Sequence, residues 1–370
     1  MSHNIPFFNY PALFTNEEEE LVRIFRDVGR RGAFILQQDL ADFESELARY
    51  VGCRFAVGVN NATDGLHFAL VAGGIKPGDE VIVCSHTMQA TAAAVHAAGG
   101  IPVPVEVGPD RCIDPAAIEP AITPRTRAVM PTDLNGRTCD MDAIRDICQR
   151  RGLLLFEDAA QALGAKYEGK SAGTFGIAAA ISFYPAKTLG CLGDGGAVIT
   201  DDPEVHRVLL QLRSFGMDDS GECQRWALNS RLDNLQAAFL RHRLRAYDGV
   251  VARRRVIAAR YHARLVTLPR VGLPPAPDAD ARWFDIYQNY EIEADLRDGL
   301  QAHLKAAGIG TLIQWRGRSI HGQLKLGFTQ DLPRTDRFFA RCLMLPLNMT
   351  ITDADIDIVC DEIEAFYRGR

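Results

Sequence analysis

One lysine stands out by its surroundings. Lys187 lies in "SFYPAKTLGCLGDGG", residues 182 to 196, between two short apolar runs, "AAAISF" and "GAVIT". Most lysines sit on solvated helix faces. This one occupies a glycine-bearing turn between two candidate buried strands, where backbone can approach a ligand closely. A lysine held there sheds its proton more readily and can act as nucleophile or base. Three further groups accompany it. Asp158 closes "LLLFED" at the carboxyl end of a candidate strand, the edge where open α/β sheets bind ligands. Ser182 precedes the lysine. The turn "NNATDGL", which holds Ala62 and Thr63, follows the first candidate strand and opens a helix whose free amides suit an anion.

Singly, each residue has an ordinary explanation: a surface lysine, a helix-capping aspartate, a strand serine, an N-cap threonine. Together, in order and at strand ends, they meet the needs of pyridoxal 5'-phosphate (PLP). Lys187 supplies the Schiff-base amine, and Asp158 keeps the pyridine nitrogen protonated. The helix N-terminus and a hydroxyl hold the phosphate.

The elements that must position these groups follow from periodicity. "FTNEEEELVRIFRDVGR" reads as a helix with Thr15 or Asn16 as cap, and "DLADFESELARYVG" as a second ending at Gly52. Strands and helices then alternate. The strands are "FAVGV", "DEVIVC", "IPVPVEV", "RAVMPT" and "LLLFED". Between them fall helices from about Thr63, over "TMQATAAAVHAAGG", from the Asp-Pro entry of "DPAAIEPAI", and over "DMDAIRDICQRRG". This alternation predicts an α/β fold with a mostly parallel sheet covered on both faces. After about residue 200 the texture changes to one or two long helices, a proline-rich loop at 273–283, a strand in "DIYQNYEIEA", a helix in "LRDGLQAHLKAAG" and a last helix from about Thr352. The expected division is a large cofactor-binding domain over 1–247, with the N-terminal helices at its edge, and a smaller α+β domain over 248–370.

Composition narrows the function. The 370 residues are 47% hydrophobic and 24% charged, with a net charge of −6 and no concentrated basic surface, which argues against nucleic-acid binding. No apolar run is long enough to cross a membrane, and "MSHNIPFFNYPALF" lacks the pattern of a signal peptide, so a cytoplasmic protein is expected. Nine dispersed cysteines, without a C-x-x-C, suit a reducing compartment, and no His/Cys cluster has metal-ligand spacing. Gly164 to Ser171, "GAKYEGKS", matches the phosphate-binding G-x-x-x-x-G-K-[ST] pattern. The pattern works only between a strand and a helix. Here the strand ends several residues earlier, and "AGTFG" is a poor helix start. No G-x-G-x-x-G follows a strand, which argues against a nicotinamide dehydrogenase.

The longer motifs "TDGLHFAL", "KPGDEVIV", "ITPRTRAVMP", "FEDAAQALGA", "SFYPAKTLGCLGDGGAVIT" and "NSRLDNLQAAFL" stand in one order along nearly the whole chain. In them the sequence resembles the DegT/DnrJ/StrS family of sugar aminotransferases, PLP enzymes of the aspartate-aminotransferase fold. The resemblance implies Lys187 as Schiff-base lysine and proton shuttle, and Asp158 as partner of the pyridine nitrogen. It implies Gln161 as donor to the cofactor's phenolate oxygen, and Ala62, Thr63 and Ser182 as the phosphate cradle. Asn229 would reach the phosphate of a neighbouring subunit's cofactor, hence a homodimer with shared sites. The family usually has glycine where Ala62 stands and often an aromatic residue where Met88 stands. A thioether can pack on a ring face in its place, and core packing is the other reading of Met88. Trp315, Arg316, Arg318 and His321 in "IQWRGRSIHGQ" are candidate substrate contacts, the arginines as a diphosphate clamp.

The implied reaction moves an amino group from an amino acid, with glutamate the expected donor, to a keto-sugar nucleotide. A dehydratase branch of the same fold resembles this family with histidine in place of the lysine, and Lys187 argues against it. A purely regulatory role is the rival from another class, opposed by the intact set of Lys187, Asp158 and Ser182. "LGCLGDGG" resembles the pattern of members that aminate carbon 3 of the sugar. Members that aminate carbon 4 more often carry "GEGG".

Overall fold

The computed structural model describes residues 3–368. Helices α1 (Ala12–Thr15), α2 (Glu18–Arg31) and α3 (Gln38–Val51) lead into β1 (Phe55–Val59), α4 (Ala62–Ala72), β2 (Glu80–Cys84), α5 (Gln89–Ala97), β3 (Ile101–Val105) and β4 (Thr126–Met130). Next come α6 (Met141–Arg151), β5 (Leu154–Leu155), β6 (Glu157–Asp158), β7 (Lys166–Tyr167), β8 (Lys170–Ser171), β9 (Ala179–Ser182), β10 (Gly196–Thr200) and α7 (Pro203–Arg213). The remainder is α8 (Asn234–Leu244), α9 (Tyr247–Leu265), β11 (Val271–Gly272), β12 (Trp283–Phe284), β13 (Tyr290–Ala294), α10 (Arg297–Ala306), α11 (Pro333–Arg341), β14 (Cys342–Leu345) and α12 (Asp353–Tyr367).

Strands β5 and β6 are one strand interrupted at Phe156. They join a parallel sheet, β3-β2-β4-β5, to a mixed one, β6-β9-β10-β1. In this layer β10 runs against both its neighbours. Alternating side chains bury both faces. Ala56, Ile181 and Ile199 pack with Phe43 and Leu47 of α3 and Leu240 of α8. Val57, Ala180 and Val198 pack with Leu66 of α4 and Leu209 of α7 on the other side. A second core gathers the later half of α9 (Ile257, Tyr261, Leu265) with β13, β14, α10 and α12 around the antiparallel sheet β11-β13-β14. The start of the chain joins this second core, where Ile5 is buried and bridges to Ile309.

Several local expectations change. The cap of α2 is Glu17, without a side-chain cap bond, because Thr15 belongs to the separate turn α1 and its hydroxyl donates to the Pro11 carbonyl (3.2 Å). "DPAAIEPAI" forms two 3-10 turns, 115–117 and 119–121, since Pro120 removes a donor that a continuing helix needs. "GAKYEGKS" folds as the β7–β8 hairpin, with Glu168 (φ 49°) and Gly169 (φ 78°) forming its turn, so the phosphate-loop pattern has no strand-to-helix setting here. The strand expected over 285–294 is regular only from Tyr290.

Helix α4 matters most for the site, and its entry is fixed by close approach. A Cβ on Gly196 would lie 2.6 Å from the Asn61 carbonyl carbon and 2.7 Å from the Ala62 nitrogen. Gly196→Ala must therefore push α4 off β10. A stability loss of roughly 1–3 kcal/mol is expected, read by urea or thermal unfolding. An unchanged midpoint would show that the α4 entry has slack.

Candidate active site

A cavity of about 660 Å³ opens at the edge of the sheet where the parallel strands end. That lies inside the range of about 300–1,000 Å³ typical of small-molecule sites. Ala62, Thr63, Met88, Asp158, Gln161, Ser182, Lys187 and Trp315 all line it.

At one end is the N-terminus of α4. Asn61 caps it, its Oδ1 accepting from the Asp64 amide at 2.9 Å. The first amides of a helix have no intrahelical acceptor, so those of Ala62 and Thr63 are available to an anion. The Asp64 carboxylate is occupied by the Ser230 hydroxyl (2.6 Å) and the Asn61 amide (3.1 Å). Ser182, at the end of β9, accepts from the Tyr184 amide (3.3 Å) through its oxygen and keeps its own proton to donate.

Asp158 lies elsewhere on the wall, 3% exposed. Its Oδ2 accepts from Thr91 at 2.6 Å and its Oδ1 from the Ala160 amide at 3.1 Å. Thr91 is itself bonded to Thr87 (2.8 Å), and Thr87 to Thr132 (2.8 Å), so three buried hydroxyls orient one carboxylate. Burial pushes the Asp158 pKa up, while Thr91, the Ala160 amide and Lys187 pull it down. The neighbouring Glu157 faces the other way. It accepts from the amides of Gly173 (2.8 Å), Phe175 (2.6 Å) and Gly176 (2.8 Å), which commits it to folding that loop.

Lys187 stands in the turn between β9 and β10, its amide bonded to the Tyr184 carbonyl at 2.8 Å. Burial lowers its pKa to about 8, against the opposing pull of Asp158. Gln161 accepts at Oε1 from the Asn135 amide (3.0 Å) and from Asn289 (3.3 Å). With the oxygen so taken, the Gln161 amide nitrogen is free to donate into the cavity. Met88 is 52% exposed at the N-cap of α5, which sets aside the core-packing reading. The arrangement suits a planar group with a protonated ring nitrogen at Asp158, a phosphate at α4 and Ser182, and a carbonyl carbon at Lys187.

Of the remaining expected residues, only Trp315 reaches the cavity. Trp315 and Arg316 adopt left-handed backbone (φ 46° and 59°), and Trp315 packs edge-on against His86. Arg316 and Arg318 are exposed, and no ion pair holds either among the described residues. His321 is buried, with Nδ1 against the Ser85 hydroxyl (2.7 Å) and Nε2 against Asp336 (3.0 Å), so both ring nitrogens are spent on the fold. Asn229 is outside this cavity, in an adjoining cleft with His67, Trp226 and Ser230. Sequence reasoning missed Thr87 and Thr91, although a four-residue spacing at a helix start puts two hydroxyls on one face. It also missed Asn135 and Asn289, which carry no periodic signal.

The family description "DegT/DnrJ/EryC1/StrS aminotransferase family" matches residues 15–364. A dTDP-3-amino-3,4,6-trideoxy-alpha-D-glucose transaminase of Streptomyces venezuelae is 42% identical over 351 residues, 93% of this chain and 91% of that protein. A "pleiotropic regulatory protein" of Geobacillus stearothermophilus is 37% identical over 99% of both chains. The crystal structure of S. venezuelae DesV in complex with a ketimine intermediate superposes with a TM-score of 0.94 at 40% identity, covering 99% of this chain and 100% of that one. The cavity, its lysine and its carboxylate thus sit in a fold shared along the full length, and the chain belongs to the DegT/DnrJ/EryC1/StrS aminotransferase family, as a sugar aminotransferase.

Proposed function

We propose that the protein uses pyridoxal 5'-phosphate to move an amino group from an amino acid, glutamate being the expected donor, to carbon 3 of a keto-sugar nucleotide. The carrying observation is that Lys187, Asp158 and the N-terminus of α4 open on one cavity. Bound there, the cofactor supplies an electron sink that makes the donor's alpha proton acidic. Ala62, Thr63 and Ser182 would hold the phosphate. Asp158, oriented by Thr91, would accept the ring N–H, and Gln161 would donate to the phenolate oxygen. Lys187 would take the alpha proton from the donor on its Nζ and give it back later in the exchange. Met88, on the same cavity wall, would pack against the ring, and Trp315, with Arg316 and Arg318 beside it in the chain, would meet the sugar nucleotide. This reading keeps the chemical groups on the large domain, residues 1–247, and brings Trp315 from the smaller one, 248–370.

The intact catalytic set favours turnover over a purely regulatory role. Lys187→Ala is expected to abolish transamination, and Asp158→Asn to keep the fold and lose most activity. A Lys187→Ala rate near the parent's would end the assignment. A base that works near neutral pH must be partly neutral there. In the cofactor-free protein, reaction of Lys187 with an amine reagent, followed by peptide mass, should rise with pH and be half-maximal at about 8. An ordinary lysine reaches that point near 10.4. A midpoint above 10 would remove the desolvated-amine argument.

Asn229 lies outside the chain's own cavity, on a loop that leaves Trp226 and Leu228 102% and 82% exposed. This supports a homodimer in which Asn229 serves the partner's phosphate. Lys187→Ala mixed with Asn229→Ala should regain activity through hybrid dimers carrying one complete site. No regain on mixing, or an active monomer in sedimentation, would contradict sharing.

Asp194 lines the cavity beside Lys187, within the stretch that resembles carbon-3 members, and the S. venezuelae relative is named for a 3-amino sugar. Matched 3-keto and 4-keto sugar nucleotides with glutamate should yield a new amine at carbon 3 by NMR. Amination at carbon 4 alone would overturn the regiochemistry and leave the transaminase intact. No described helix is long and apolar enough to cross a membrane, and a cytoplasmic location fits the proposed nucleotide-sugar substrate.

A further inference from the structure

The turn that carries Lys187 is sparsely tied by its own backbone. Lys187 N–H reaches Tyr184, Cys191 N–H reaches Phe183 (2.7 Å), and Phe183 N–H reaches Gly195 (2.8 Å). The two peptide groups that flank the lysine, the Ala186 carbonyl and the Thr188 amide, take no backbone partner among the described residues. One side chain takes both. Gln288 accepts from the Thr188 amide through Oε1 at 2.9 Å and donates from Nε2 to the Ala186 carbonyl at 2.9 Å. A side-chain amide offers a donor and an acceptor side by side on one rigid plane. The two partners also fix which end of the amide points where. Gln288 is 6% exposed.

We propose that Gln288 is a positioning residue for Lys187, straddling it on both sides and so setting the direction in which the amine enters the cavity. The inference rests on the reading of Lys187 as the reacting amine. Its mount is firm. Gln288 follows Tyr287, whose backbone is left-handed (φ 53°), and both carbonyls are gripped by Arg254: Nε to Tyr287 at 2.8 Å and Nη2 to Gln288 at 2.7 Å. Arg254 Nη2 also reaches the Leu347 carbonyl at 3.1 Å. Arg254 is 4% exposed, and among the described residues no carboxylate pairs with it. Its charge is spent on holding these carbonyls. From the other side, Gly136 accepts from the Ile286 amide at 2.8 Å, and a Cβ on Gly136 would lie 2.6 Å from the nitrogens of Tyr287 and Gln288. Thr188 is held a second time, its hydroxyl 2.5 Å from that of Tyr247, which donates to the Leu163 carbonyl at 2.7 Å. A reacting group displaced by about 1 Å loses on the order of a hundredfold in rate, so a clamp this close to the amine is a matter of rate as well as of folding.

The test compares Gln288→Met, which keeps the volume and loses both bonds, with Gln288→Glu, which keeps the acceptor and loses the donor. Each is purified with cofactor, reduced with borohydride and digested to locate the labelled lysine. The visible band of the lysine-bound cofactor is titrated with pH, and kcat and KM are measured for the amino donor. Gln288→Met should still label Lys187, drop kcat roughly 10–100-fold with KM within about twofold, and move the spectroscopic midpoint by about half a pH unit or more. Gln288→Glu should also lower kcat, compared with the parent at a pH above each variant's own midpoint so that its added charge is not the cause, and it carries the test if the methionine variant does not fold. Label on another lysine would overturn the reading of Lys187 and the inference with it. Label on Lys187 with parental kcat and midpoint, and only a lower melting temperature, would overturn the inference alone.

Discussion

A carboxyl group buried with little water around it is the constraint on which the rest of this site depends. Asp158 needs donors, and it receives a hydroxyl and an amide, with the charge of Lys187 acting on it as well. The hydroxyl needs a fixed orientation, which the chain through Thr87 and Thr132 supplies from two other strand ends. Two more buried acids crowd the same region. Glu157 is held by three backbone amides. Asp133 has its pKa pushed well up by burial and then by the charge of Glu157. Its Oδ1 accepts from the Cys139 amide at 2.9 Å.

The sheet makes this possible. Successive residues of a strand face opposite sides, so Glu157 folds a loop while its neighbour Asp158 lines the cavity. The same edge gathers Thr132 after β4, Ser182 after β9 and the α4 turn after β1, because a parallel arrangement brings all these strand ends to one side. The α4 turn can press onto β10 because Gly196 has no Cβ.

Those features were legible in the sequence. Lys187, Asp158, Ser182 and Thr63 announce themselves by type and by position at the ends of apolar runs, and the structure brings all four to one cavity. What stayed hidden acts across long separations through neutral amides. Gln288 reaches Lys187's neighbours about a hundred positions away, and Asn135 meets Gln161 and Gln314 through hydrogen bonds that leave no periodic trace. The failed strand over 285–289 has the same cause. Its polar groups bond to Gly136, Arg254 and the lysine turn instead of a ladder. The hairpin in "GAKYEGKS" was obscured by a motif whose residues were right and whose flanking elements were absent.

That the supports are neutral is itself informative. Burial lowers the Lys187 pKa and Asp158 raises it. A carboxylate in the place of Gln288 would bring a second negative charge to the residues beside the lysine and hold its proton on. A cation there would push it off. The amide fixes position without adding a charge of its own beside the lysine. The charged member of the mount, Arg254, sits one step back, and its hydrogen bonds among the described residues go to the carbonyl oxygens of Tyr287, Gln288 and Leu347. Charge and position are therefore supplied by different residues. Gln288 and Arg254 determine where the amine points, and with it how strongly the dry cavity and the Asp158 charge act on its proton.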